Sequence, residues 1–390
     1  MREIDNLNDF EAWISSGALR PCAVQEVDIQ GLADKIAELV FEGSLFLGCD
    51  MDKHLAGHIT STGGMVIMNQ EDLPFRIHKS ALYSVGELFA GFDVDVEDGY
   101  QQTFDYKVYA DFVANGMEQT PSIRVSLARR LHDHSISDAL DEAIAGRKVV
   151  AIMGGHSMER QDAYYEEIAK MSRQLTKRGF LMVSGGGPGA MEATHLGAYF
   201  ACRSEAELVG AIGDMKTRPQ GAAKGREYAD KDWLHRAWRV MEKYPIPTGK
   251  NKEVMSIGIP TWFYGHEPPS PFATHFAKYF ANSVREDGLL AIAKHGVIFA
   301  PGSAGTIQEI FQDATQNHYA PYNTHGHKKH VSPMILFGIK RWSEELPLWN
   351  LISKAAEGTV YSELLCLTEN QQEILDRISA YNPDEYAYPK

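Results

Sequence analysis

Cysteine is scarce in this chain, with four in 390 residues, and Cys22, Cys49, Cys202 and Cys366 are far apart. That spacing argues against a disulfide framework and against a zinc site. No apolar run approaches the ~20 residues that a bilayer-spanning helix needs. The first residues, Met1-Arg2-Glu3-Ile4-Asp5, lack the basic and then apolar layout of a secretion signal. Together these absences predict a cytoplasmic protein with no membrane partner. A basic excess is missing as well: the formal net charge is −14, which argues against nucleic acid as a partner. It leaves a small anionic ligand open, because one pocket can be locally positive.

What is present is a strand and helix rhythm. Residues 1–145 read as a mixed α/β flanking domain that supports oligomerisation, with short strands at 44–47 and 65–68 and helices at 78–91 and 135–145. From residue 146 to about 380 the alternation is regular. Strands are expected at 149–153, 180–184, 208–212, 254–259, 296–300 and 331–337. Helices are expected at 161–177, 190–201, 273–294, from 305, at 344–356 and at 371–380. Alternation of this kind predicts an α/β fold, a Rossmann-like doubly wound parallel sheet. Residues 381–390 read as a tail that docks or frays. The segment 214–253 breaks the rhythm with ten Lys or Arg against six acids. It reads either as a solvated insertion or as a cover over an anionic ligand.

Three predicted strands end in glycine-rich turns, and ligands of doubly wound sheets bind at that edge. The first turn is Gly154-Gly155-His156-Ser157, where Gly155 admits a close ligand and Ser157 can donate to a phosphate. Ser157 reads equally well as an ordinary helix cap. The second turn holds Gly185, Gly186, Gly187, Pro188, Gly189, Ala190, Met191 and Glu192. Its amides, at a helix start, can cradle a phosphate. Gly185, Gly187 and Ala190 also satisfy G-x-G-x-x-A, so an NAD(P) site with Glu205 or Glu207 on the ribose is a rival. Glu192 reads equally as an acid complementing a helix N-terminus. The third turn is Pro301-Gly302-Ser303-Ala304-Gly305-Thr306-Ile307-Gln308-Glu309. It lacks the lysine of a Walker motif, which argues against ATP or GTP hydrolysis.

The motifs at 185–192 and 301–309 resemble those of the Lonely Guy phosphoribohydrolase family, whose hallmark is P-G-G-x-G-T-x-x-E. The similarity is closer to bacterial pyrimidine/purine nucleotide 5′-monophosphate nucleosidases. They share Gly-Gly-His-Ser, Gly-Pro-Gly-Ala-Met-Glu-Ala, Glu-Pro-Pro-x-Pro (here from Glu267) and His-Gly-Val-Ile (from His295). The resemblance covers residues 147–340. It departs at Ser303, which stands where the hallmark has its second glycine. The family's catalytic arginine has its best counterpart in Arg285.

This resemblance implies cleavage of nucleoside 5′-monophosphates to free base and ribose 5-phosphate. No organic cofactor and no metal are implied, and a homodimer or larger homo-oligomer is. Such hydrolysis passes through an oxocarbenium-like sugar, which a carboxylate stabilises. Glu309 would supply that carboxylate and Arg285 would orient it. Gly302, Ser303, Ala304, Gly305 and Thr306 would join the 185–190 turn in binding phosphate. A non-catalytic nucleotide sensor would need nearly the same groups. The run from His325 through His327 to His330 reads as a solvated loop rather than a metal site.

Overall fold

The computed structural model describes residues 2–16, 19–70, 72–96, 99–120, 122–216, 224–324 and 326–389. The chain divides into two compact units. The first comprises Met1–Leu82, Lys107–Ala143 and Tyr279–Ala281, and the second Tyr83–Tyr106, Ile144–Lys278 and Asn282–Lys390. The division falls near the sequence boundary at 145, with two differences: Tyr83–Tyr106 belongs to the second unit and Tyr279–Ala281 to the first.

The first unit is built on four parallel strands in sequence order, β1 (Arg2–Ile4), β2 (Cys22–Gln25), β3 (Leu45–Leu47) and β4 (Met65–Ile67). Helices Leu7–Ile14 and Lys53–Ser61 start where Asn6 and Asp52 accept hydrogen bonds from Asp9 and Leu55 amides. Such caps contribute about 1 kcal/mol each. The core is aromatic, with Phe41 edge-on to Phe46 at 5.4 Å and Trp13 5.9 Å from Phe41. Helix Ile123–Ile144 begins well before the expected residue 135. From it, Asp133 accepts hydrogen bonds from the Phe280 and Ala281 amides at 2.8 Å each.

The second unit is the expected Rossmann-like α/β sheet. Among the described residues it has eight strands in the order β13-β12-β10-β6-β7-β8-β9-β5. These are β5 (Tyr83–Ser84), β6 (Lys148–Met153), β7 (Phe180–Ser184), β8 (Ser256–Gly258), β9 (His275–Phe276), β10 (Val297–Phe299), β12 (Met334–Phe337) and β13 (Leu365–Thr368). All pairings are parallel except the edge pair of β5 with β9. Val150, Ala151 and Ile152 are fully buried in the centre, which is why their stretch reads as an unbroken apolar run. After β6 the chain winds to one side through β7 and β8, and β10, β12 and β13 fill the other. The order therefore reverses between β6 and β10, the place where such sheets bind ligands.

Four expectations fail for identifiable reasons. Residues 208–212 lie in helix Glu205–Met215, not in a strand. A capping box between Ser204 and Glu207 starts that helix, and Leu208, Ala211, Ile212 and Met215 form its buried stripe. The helix expected over 273–294 is only Asn282–Ile292, because β9 pairs first and Asp133 captures two amides. The helix expected over 78–91 is reduced to the turn Val85–Leu88, since Tyr83 and Ser84 pair with β9. Pro347 delays the helix expected from 344 to Leu348–Ala356, after a π turn at Arg341–Glu345. The tail docks within its own chain: β14 (Ala387–Tyr388) pairs antiparallel with β11 (Lys329–His330). No helix among the described residues is long and apolar enough to cross a membrane.

Candidate active site

The turns that follow β6, β7 and β10 meet at the reversal point. Gly155 donates its amide to the Pro301 carbonyl at 3.1 Å and accepts from the Ala190 amide at 3.2 Å. No side chain fits at Gly154, where a Cβ would stand 2.7 Å from the Ala190 Cβ. Gly189 has φ +71° and presses on the Gly155 carbonyl, and Gly186 has φ +76° against Gly258. Glycine is required there on both conformational and steric grounds.

Two helices begin at this junction without a side-chain cap. Neither Gly189, before Ala190–Tyr199, nor Ser303, before Ala304–Tyr319, supplies one. Each start leaves amides that intrahelical bonding cannot satisfy, at the positive end of a helix dipole. Ser303, Ala304 and Gly305 are exposed, and Thr306 is buried with its hydroxyl packed against Gly302. Amides presented in this way at a helix start are chemically suited to an anion.

Glu309 lies one turn into the second helix. Arg285, from helix Asn282–Ile292, reaches it with Nη1 at 4.0 Å from Oε1. The Arg285 Nε donates to the Ile259 carbonyl at 2.9 Å, which fixes the guanidinium beyond β8. A Cβ on Gly185 would collide with the Arg285 Nη2, so arginine and glycine turn are in direct apposition. Burial pushes the Glu309 carboxyl up to about 7, with Arg285 opposing and the Glu286 carboxylate adding to the rise. A carboxylate poised near neutrality beside an arginine is what acid, base or cation-stabilising work requires.

The other expected residues divide. Gly187 and Met191 line the same turn, with the Met191 Sδ 2.5 Å from where a Gly185 side chain would begin. His156 and Ser157 are exposed after β6, and the His156 ring stands edge-on to Tyr228 at 6.0 Å. Glu192 is different, and its expected contact with a ligand is corrected. It is fully buried, with its oxygens held by Arg160 at 2.6 and 2.8 Å and by the Tyr165 hydroxyl at 2.7 Å. It anchors the helix that carries the turn. Of the two ribose acids the rival NAD(P) reading offers, Glu207 is spent capping Ser204 and pairing with Arg203, and Glu205 lies 3.9 Å from Lys170 and from Arg173.

Two residues were not anticipated. Arg341, after β12, donates from Nη2 to the Gly302 carbonyl and holds the third turn in place. Its position at a strand's carboxyl end was the available signal. Tyr228 belongs to the basic segment 214–253. Arg218 lies outside the described residues; four other cations there, Lys216, Arg236, Lys243 and Lys250, pair with acids. Those pairings favour a solvated insertion over an electrostatic cover. Of the histidine run, His325 lies outside the described residues, and His330 is spent in β11. The described residues hold one cluster with metal-ligand spacing, Glu3, Asp138 and Glu142, which is in the first unit.

No family model matches the chain, and no curated protein matches it. Among solved structures it is similar to the molybdenum cofactor binding protein from the phototrophic bacterium Rippkaea orientalis. The two are 15% identical with a TM-score of 0.36, over 60% of this chain and 98% of that chain.

Proposed function

We propose that this chain hydrolyses the N-glycosidic bond of nucleoside 5′-monophosphates. The apposition of the Glu309–Arg285 pair to two uncapped helix starts at the sheet's reversal point carries this reading. The 5′-phosphate sits on amides of the Gly185–Gly189 turn, the Ala190 amide being taken by the Gly155 carbonyl, and on those of Ser303–Thr306. Phosphate binding there orients the sugar, and its energy is used in the transition state. As the bond from C1′ to the base nitrogen breaks, its electron pair leaves with the base. Ionised Glu309 then faces the oxocarbenium-like sugar. Water adds its hydroxyl to C1′ and its proton goes to the departing base, giving ribose 5-phosphate and free base. Arg285 holds the carboxylate in place and opposes its protonation. The reading needs no metal and no organic cofactor, and it carries with it a homo-oligomer in the cytoplasm.

The test is incubation of the purified protein with AMP, GMP, IMP, CMP and UMP, followed by chromatography for released base. Glu309→Gln should keep nucleotide binding and lose turnover by on the order of 10²-fold or more. Binding of a nucleotide without release of base from any of the five would leave a sensor and end the hydrolase reading.

A further inference from the structure

The second unit contains a cavity of about 200 Å³ that the glycine turns do not account for. Its walls are rings: Phe92, Tyr100 and Tyr106 from the stretch Tyr83–Tyr106, and Tyr228 and His235 from the insertion. Tyr100 and Tyr106 meet edge to face at 5.6 Å, and Phe92 lies 5.6 Å from His235. Gln101 and Asp230 also line it; one Asp230 carboxylate oxygen accepts from the Asp232 amide at 2.9 Å as the cap of helix Lys231–Lys243, leaving the other oxygen as the acceptor. The volume falls below the roughly 300–1,000 Å³ of pockets for drug-sized ligands, and so suits one flat heterocycle.

The cavity adjoins the candidate active site. The Tyr228 ring is edge-on to His156, and its side chain is hydrogen-bonded with Glu267. The Glu267 Oε2 stands 3.8 Å from where a side chain on Gly187 would begin. His266 and Pro268, on either side of Glu267, both line the cavity. One wall is also held rigid from behind. The Tyr100 hydroxyl donates to Asp105 at 2.8 Å, and buried Asp105 accepts from Trp262 Nε1 at 3.0 Å and from Lys278 Nζ at 2.6 Å. A stacking platform that is already ordered loses little entropy when a ligand arrives.

We propose that this cavity is the base subsite and that it selects an amino-substituted purine. Rings supply the stacking faces that any base can use. The Asp230 carboxylate accepts from an exocyclic amino group, and the Gln101 amide can both donate to and accept from a purine edge. The choice of ligand rests on the nucleosidase reading; the test below does not.

The experiment is calorimetric titration of the full chain with adenine and, separately, with ribose 5-phosphate. It is repeated on Gln101→Trp, which fills the cavity from an exposed position, and on Tyr106→Ala. Adenine should bind the wild type and lose affinity by roughly tenfold or more in both variants, while ribose 5-phosphate binds all three alike. Adenine that does not bind the wild type, or binds both variants unchanged, overturns the assignment. So does an equal loss for ribose 5-phosphate. AMP turnover separates the two claims. AMP that is hydrolysed with an unaltered KM in Gln101→Trp removes the subsite and leaves the hydrolase. Cavity-dependent adenine binding without AMP hydrolysis does the reverse.

Discussion

Arg285 places a guanidinium nitrogen 4.0 Å from the Glu309 carboxylate while its Nε is tied to the Ile259 carbonyl. The distance is long for a strong ion pair, and the tether keeps the arginine from closing it. Burial therefore dominates, and the Glu309 carboxyl stays near 7 despite its cationic neighbour. If the ionised carboxylate does the work, turnover should rise with pH through about 7 and level off above it. Arg285→Gln removes the influence that favours ionisation. The rise should then move to higher pH, and the plateau rate should fall by on the order of 10²-fold. A pH–rate profile of both proteins checks this. A lowered plateau with an unmoved rise would place the arginine's role elsewhere than on Glu309.

Two glycines of the second turn should respond oppositely to one added methyl group. At Gly185 the new carbon meets the Arg285 Nη2 and the Met191 Sδ, the far parts of two flexible side chains. Gly185→Ala should keep the melting temperature within a few degrees and depress kcat by displacing the arginine. At Gly189 the carbon meets the carbonyl oxygens of Gly155 and His156, and φ is +71°. With ψ at −130° this is a backbone region that essentially only glycine adopts, which alone costs another residue roughly 1–3 kcal/mol, and the backbone contact adds to that. Gly189→Ala should lower the melting temperature by several degrees, whatever it does to activity. Thermal melts beside steady-state kinetics decide between them. The reverse ordering would contradict the geometry of the turn.

The sequence made the sheet centre readable because strands buried on both faces must be apolar throughout, as Val150, Ala151 and Ile152 are. The glycine turns were readable for a related reason: nothing but glycine fits at Gly154 or Gly189. Residues 208–212 misled because five mostly apolar residues fit a strand or a buried helix alike, and the Ser204–Glu207 capping box decides for the helix. Glu192 had the right neighbourhood and the wrong direction, since Arg160, which claims it, is 32 residues earlier in the chain. The aromatic cavity was illegible altogether. Its rings come from around residues 92–106 and 228–235 and meet only through tertiary packing. Asp105, Trp262 and Lys278 likewise form one buried node from three distant stretches.

Asp313, one turn beyond Glu309, is 2% exposed and its Oδ2 has no hydrogen-bond partner among the described residues. Burial pushes its carboxyl from 3.8 up to about 8. The folded protein therefore holds a proton there that the unfolded chain releases near pH 4. The contribution of Asp313 to stability therefore falls as pH rises across the window from about 4 to 8, and the loss is complete above it. Asp313→Asn keeps the shape and removes the charge. Its melting temperature should exceed that of the wild type by several degrees at pH 8.5, with the gain shrinking steadily towards pH 4. Glu309 is raised in the same sense, so wild type and variant should both retain a slope between about 4.5 and 7. That slope should become shallower by one carboxyl's contribution when Glu309→Gln is added to Asp313→Asn, because Glu227, also raised to about 7 by burial, keeps titrating in the same window. Calorimetric melts at several pH values test both steps. A gain from Asp313→Asn that is the same at every pH would mean that no buried charge forms at Asp313. The difference in slope between Asp313→Asn and the double variant would measure, independently of any substrate, the ionisation on which the proposed hydrolysis depends.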